Sequence, residues 1–275
     1  MKIITTAQTK PPRMILYSAH KIGKSTFAAN CPKPIFIDVE NGLGALTVQA
    51  FETIKTYEDI EKALEFLIRE DHDFRTVVLD SADWAEKLIW EKVCRDNNWA
   101  QIGDGPYGAG YKLALIYWAR LIKLFDILNS EKKMFILILA HSKVVKFEDP
   151  ERDNYDMYDL DLNDKAGNLL CESVDIIGFA QLKVVAVTKK GKGFAGTEVT
   201  KVKGTSERIL CLQKNAAYEA GNRYNLPAQI PLEWSALSDG IKAYFANQKK
   251  GKLGEVVEKI NLELAEVQSE VEVKQ

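Results

Sequence analysis

An α/β fold with a mostly parallel central sheet flanked by helices is the expectation from three observations. Short apolar runs rich in β-formers alternate along the chain with stretches of helical spacing, which is the pattern of strand–helix–strand units. Several of these runs close on polar or charged residues, Asp38 and Glu40, Asp80, then His141. The first of them, Met14 to Ser18, passes through a tight loop holding Gly23-Lys24-Ser25 into a helix of small residues.

That loop nearly satisfies G-x-x-x-x-G-K-[ST]: Gly23, Lys24 and Ser25 are in place, and Ser18 stands where the motif has its first glycine. Backbone N–H groups of Ser18, Ala19, His20, Lys21, Ile22, Gly23, Lys24, Ser25 and Thr26 would face an anion at the positive end of the helix dipole. Lys24 would reach the terminal phosphates of a nucleotide and Ser25 would ligate magnesium. Ser18 must then tolerate the backbone dihedral that glycine usually supplies.

Before this loop, residues 1–13 with Lys10-Pro11-Pro12 read as an extended arm, because paired prolines block a helix. After it, Ile35-Phe-Ile-Asp38-Val-Glu40 reads as a buried strand and Asn41 to Gly44 as a turn. Tyr57 to Arg69 has helical spacing at Ile60, Leu64 and Leu67, and Phe74 to Ser81 is the next buried strand. Ala85, Ile89 and Val93 mark a helix. Residues 99–110, with four glycines and a proline, read as a mobile loop. A long helix follows, striped by Tyr111, Leu115, Trp118, Ile122 and Phe125 and ending near Asn129. Lys133 to Ala140 is a third buried strand, closed by His141-Ser142-Lys143. Residues 143–168 read as a long acidic loop, Asp175 to Leu182 as a strand, 183–203 as a lysine-rich hairpin, and Arg208 to Gln213 as a returning strand. The globular body, 14–248, ends in a linker, and 249–275 form an acidic tail with an apolar helical face at Val257, Ile260, Leu264, Val267 and Val271. Six glutamates stand against two lysines within 255–275.

Composition narrows the function classes. The chain has 275 residues, 46% hydrophobic and 28% charged, and a net charge of −2, so nothing is globally built for nucleic acid. No apolar run has the length of a membrane span, and Met1-Lys-Ile-Ile4 opens no secretory signal, so the expectation is a cytoplasmic protein. Four separated cysteines, Cys31, Cys94, Cys171 and Cys211, form neither a disulfide framework nor a zinc spacing.

Hydrolysis needs more than a phosphate loop. Asp80 ends an apolar strand where a carboxylate would contact magnesium through water. Glu40, with Asp38 as competitor, stands where a carboxylate could orient the water that attacks the γ-phosphate. His141 closes the third strand, where a polar side chain could sense that phosphate. His20 lies within the loop itself.

Taken in order, Ile35-Phe-Ile-Asp-Val-Glu40, Val77-Val-Leu-Asp-Ser81, Gly108-Ala-Gly-Tyr111, Leu139-Ala-His-Ser142, Asp149-Pro150 and Asn222-Arg-Tyr-Asn-Leu-Pro227 resemble the phage RecA-core ATPases that include single-strand annealing recombinases. The resemblance covers about residues 12–234. It implies a RecA-like P-loop NTPase core, ATP with Mg2+, binding of single-stranded DNA, and a homo-oligomeric ring or filament with nucleotide between subunits. By the same resemblance Lys24, Ser25 and Thr26 bind phosphate and metal, Glu40 activates water, Asp80 is the Walker B carboxylate, His141 is the sensor, and Arg223 reaches a neighbour's nucleotide. Ser18 and Gly221 depart from the family pattern. Single strands need stacking and positive charge, for which Tyr107 and Tyr111, or Lys189, Lys190 and Lys192 of the hairpin, are the candidates. A single-strand-binding protein is a candidate partner of the acidic tail. The implied function is an ATPase of phage recombination. A helicase loader or motor ATPase, and a nucleotide-gated binding module with little hydrolysis, remain open.

Overall fold

The computed structural model describes residues 10–148, 153–190 and 198–248. Most of the arm (1–9), part of the acidic loop (149–152), Lys192 and the tail (249–275) lie outside them.

Residues Arg13–Ser18 form β1, whose side chains are buried on both faces of the sheet. Ile15 and Tyr17 enter one apolar cluster, Met14 and Leu16 the other, which is how period-two alternation reads when helices cover both faces. Helix α1 (Lys24–Ala29) follows the loop, then β2 (Pro34–Asp38) and the short β3 (Gln49–Ala50). Helix α2 (Tyr57–Arg69) begins at a capping box, Thr56 with Asp59, and buries Ile60, Leu64 and Leu67 as their spacing predicts. Strand β4 (Thr76–Asp80) leads into α3 (Ala82–Asn97).

Residues 99–110 are not the expected mobile loop. Two 3-10 turns, Ile102–Asp104 and Pro106–Gly108, fold back so that Ile102 is buried. A Cβ on Gly110 would lie 2.1 Å from the Ile102 carbonyl oxygen. The glycines here permit close backbone approach, a use that composition alone does not separate from mobility. Helix α4 (Ala109–Ser130) buries Gly110, Ala114, Trp118, Leu121, Phe125 and Leu128. The expected stripe shares Trp118 and Phe125 with that face, while Tyr111, Leu115 and Ile122 pack at its margin.

The acidic loop is also corrected. Strand β5 (Phe135–Phe147) runs past His141 and pairs antiparallel with β6 (Tyr155–Leu160), and α5 (Asp164–Ser173) follows. Of β6 only Met157 and Leu160 are buried, three positions apart and so on opposite faces, and strand pairing with β5 rather than an apolar stripe makes this acidic segment regular. Strands β7 (Ile176–Lys190) and β8 (Glu198–Cys211) form one long antiparallel hairpin, joining the expected hairpin and returning strand. Strands β9 (Gly221–Asn222) and β10 (Gln229–Pro231) precede a last helix, α6, at 234–248.

The sheet order is β10-β8-β7-β1-β5-β4-β2-β3, with β6 on β5 and β9 on β7. All pairings from β7 to β3 are parallel, so the chain is a mixed, mostly parallel α/β sheet flanked by helices. Its C-terminal strand ends, at Ser18, Asp38, Asp80 and His141, share one edge. Among the described residues no helix is long and apolar enough to cross a membrane.

Candidate nucleotide-binding site

β1 and β4 are separated by β5, so Ser18 and Asp80 stand two strands apart, and the loop after β1 has to span that gap. It does so at its helical end: Ser25 Oγ donates to Asp80 Oδ2 at 2.8 Å. Positive φ in the loop falls on Lys21 (63°) and Gly23 (111°), whereas Ser18 has no left-handed backbone. Ser18 is therefore an ordinary last strand residue, and serine meets no conformational penalty there. Its side chain is fully buried and its register partner is His141.

Lys24 is buried, and its Nζ donates to Ser18 O, Ser18 Oγ and Ala19 O, each at 3.4 Å. Burial holds its ammonium below the ordinary lysine range, against the pull of Asp80, Asp83 and Glu40. The Asp80 carboxyl is pushed up to about 6, chiefly by burial; the Ser25 hydrogen bond opposes this, and the charges of Glu40 and Asp38 add to it. A buried carboxylate so placed gains from a cation beside it.

Asp38 and Glu40 differ in their surroundings. Asp38 accepts the N–H groups of Gly42 at 3.2 Å and Leu43 at 3.4 Å, which commits its carboxylate to shaping that turn. Glu40 lies beyond the strand end, held by its N–H on Asp80 O at 3.3 Å, and its charge acts on both Lys24 and Asp80. His141 is buried with Asp83, and its ring lies 4.1 Å from that of His20, a residue of the loop itself.

A second hollow adjoins the loop. Thr26, Asn30, Arg208 and Trp234 line a cavity of about 420 Å³ beside α1. The Arg208 guanidinium lies over Gly23, 2.8 Å from where a Cβ would stand. Sequence reasoning missed Arg208 and Trp234 because β8 and α6 reach α1 only through the fold. It also missed Asp83, although its place three residues after Asp80 at a helix start was a local signal.

Other expected residues are not brought to this site. Arg223 lies in the stretch after β9, at the end of the sheet where β1 and β7 begin, and its Nη1 donates to Asp175 Oδ1 at 3.1 Å. Tyr107 is 99% exposed, but Tyr111 is half-buried with its ring edge-on to Trp90 at 5.6 Å. Lys189 and Lys190 lie on β7, with Lys192 beyond the described residues.

A parallel sheet whose first loop carries a buried lysine and a serine hydrogen-bonded to a strand-end aspartate defines a P-loop nucleotide-binding ATPase. The chain belongs to the AAA domain family, whose model matches residues 10–224. It is 25% identical over 133 residues to the SPbeta prophage-derived uncharacterized protein YorG of Bacillus subtilis (strain 168). That match takes in 46% of this chain and spans only 40% of the relative's length. The crystal structure of the RadB recombinase overlaps 70% of this chain and 87% of its own with a TM-score of 0.39 at 11% identity.

Proposed function

We propose that the chain is a magnesium-dependent ATPase of phage recombination that binds single-stranded DNA and promotes annealing or strand pairing. The observation that carries the catalytic half is the meeting of Ser25 and Asp80 at 2.8 Å beside the buried Lys24. Ser25 Oγ and the Asp80 carboxylate are hard oxygen donors, and so few protein ligands suit magnesium, which keeps waters and nucleotide phosphates in its shell. Ser25 Oγ and the Asp80 carboxylate would hold the metal, and it would supply neutralisation of the phosphate charge. Lys24 turns from the loop carbonyls to the phosphates, and Glu40 orients the attacking water and accepts its proton. The hollow under Arg208 receives the nucleoside, where a planar guanidinium can lie against the base. Arg223, at the opposite end of the sheet from its own phosphate loop, serves a neighbouring subunit's nucleotide in a ring or filament.

The DNA half rests on the order of motifs that resembles the annealing recombinases and on the aromatic ring of Tyr107 standing in solvent. The test is ATP turnover with and without single-stranded DNA. Stimulation by DNA, and a loss of about 100-fold or more in kcat in both Lys24→Ala and Glu40→Gln, is the expected result. Unchanged turnover in Glu40→Gln removes that residue from its role. Nucleotide binding without turnover in the parent chain replaces the enzyme with a nucleotide-gated binding module.

A further inference from the structure

We propose that Asp83 is a positioning residue for His141: it holds the imidazole with the proton on Nδ1 and leaves Nε2 as the ring atom offered to the phosphate-loop side. The catalytic consequence rests on the ATPase reading above; the state of the ring does not.

Asp83 is the second residue of α3 and follows Asp80 by three. Its Oδ1 accepts the backbone N–H of His141 at 3.0 Å and its Oδ2 faces His141 Nδ1 at 3.0 Å. Both side chains are 8% exposed, so water does not compete for these bonds. Burial alone would raise the Asp83 carboxyl, but the bonds to His141 outweigh it and hold the group below its ordinary range. Its place in the first helical turn favours the same charge. An ionised carboxylate only accepts, so the nitrogen opposite must carry the proton.

The ring fixed in this way sits at the site's edge. His141 is in register with Ser18 across β1 and β5, and its ring lies 4.1 Å from that of His20. A line of contacts thus runs from the helix after Asp80, through Asp83 and His141, to the phosphate loop. A neutral ring held with Nδ1–H presents a lone pair at Nε2, suited to a water on the γ-phosphate. Donation from Nε2 to a phosphate oxygen requires the doubly protonated ring, whose charge Asp83 offsets.

A histidine that merely ties β5 to α3 would need the same two bonds, but turnover would not change when both bonds are kept and the proton is moved to the other nitrogen. Asp83→Asn separates the two roles. The amide oxygen can keep the bond from His141 N–H while the amide NH2 donates to Nδ1, which moves the ring proton to Nε2 at nearly constant shape.

The experiment is 15N NMR of the histidine side chains in the full chain. Its three histidines are few enough to assign with a His141→Asn spectrum. Protonated Nδ1 in the parent, reversal in Asp83→Asn, and a fall of about 100-fold in kcat with KM and Tm little changed are expected. Asp83→Glu should restore the parent tautomer and part of kcat. His141 found with Nε2–H in the parent, or a reversed tautomer with unchanged kcat, overturns the proposal. If the parent does not hydrolyse ATP, the ATPase reading fails separately. The Nε2 resonance then decides: movement with a non-hydrolysable ATP analogue but not with ADP supports the role, and no movement removes it.

Discussion

Glu86 offers the sharpest test of the packing around the site. It lies on α3 one turn beyond Asp83 and is 5% exposed. Oε2 accepts the Asn163 N–H at 2.9 Å, while Oε1 has no hydrogen-bond partner among the described residues. The Trp118 indole lies close enough to favour the carboxylate but outside hydrogen-bonding geometry. Burial pushes the group from an ordinary 4.5 up to about 7, against the Asn163 N–H, Trp118 and Lys143. At about 1.4 kcal/mol per pH unit, that gap corresponds to about 3 kcal/mol of pH-dependent stability. The sign follows from which form the fold prefers. The protonated acid is favoured, so its stabilisation is complete below pH 4.5 and is lost as pH rises through about 7. Glu86→Gln stays neutral and keeps an acceptor for the Asn163 N–H. Stabilities from urea midpoints, measured from about pH 4 to about pH 8.5, should coincide within about 0.5 kcal/mol at the acid end. At the alkaline end the variant should be more stable by about 1–3 kcal/mol. Other groups titrate in both proteins and cancel in the difference. Parallel curves across the range would refute the argument, because Glu86 would then be charged at no cost.

Three further outcomes follow from named contacts. Ser25→Ala leaves the Asp80 carboxylate without its donor and should cost about 1–3 kcal/mol as well as the magnesium dependence of nucleotide binding, read by melting with and without the metal. Tyr107→Ala should leave the melting temperature unchanged, since the ring is 99% exposed, yet weaken single-stranded DNA binding by about 1–3 kcal/mol in a fluorescence titration; equal affinity removes Tyr107 from the DNA surface. Gly110→Ala drives a methyl against the Ile102 carbonyl and should destabilise by about 1–3 kcal/mol, seen as a lowered urea midpoint. An unchanged midpoint would mean that the turn at 102–104 yields freely.

The phosphate loop was legible because its chemistry is local. Gly23, Lys24 and Ser25 follow one another, so a glycine turn, a buried ammonium and a hydroxyl turned to Asp80 come from three adjacent positions. The strand-end carboxylates were legible for a related reason, since a polar residue closing an apolar run marks the open edge of a parallel sheet. Helix α2 could be bounded from its spacing, and its Thr56 cap confirms the start. The acidic stretch at 143–168 misled because charge dominated its composition, and β6 is made by pairing with β5, with only Met157 and Leu160 of it buried and no apolar stripe to announce it. The glycines of 99–110 misled because close packing and mobility call for the same residue.

The order of residues by itself determined the α/β class, the phosphate loop and the candidacy of Glu40, Asp80 and His141. Each of these depends on neighbours within a few positions. Tertiary structure alone decided that Asp38 is committed to its turn and that Ser18 needs no glycine backbone. It also brought Arg208 from β8 to cover Gly23 and Asp83 to hold His141, pairs separated by 185 and 58 positions. Such contacts arise from strand order and register. A sequence encodes those only through the packing of the whole sheet, and no local pattern of residues carries them.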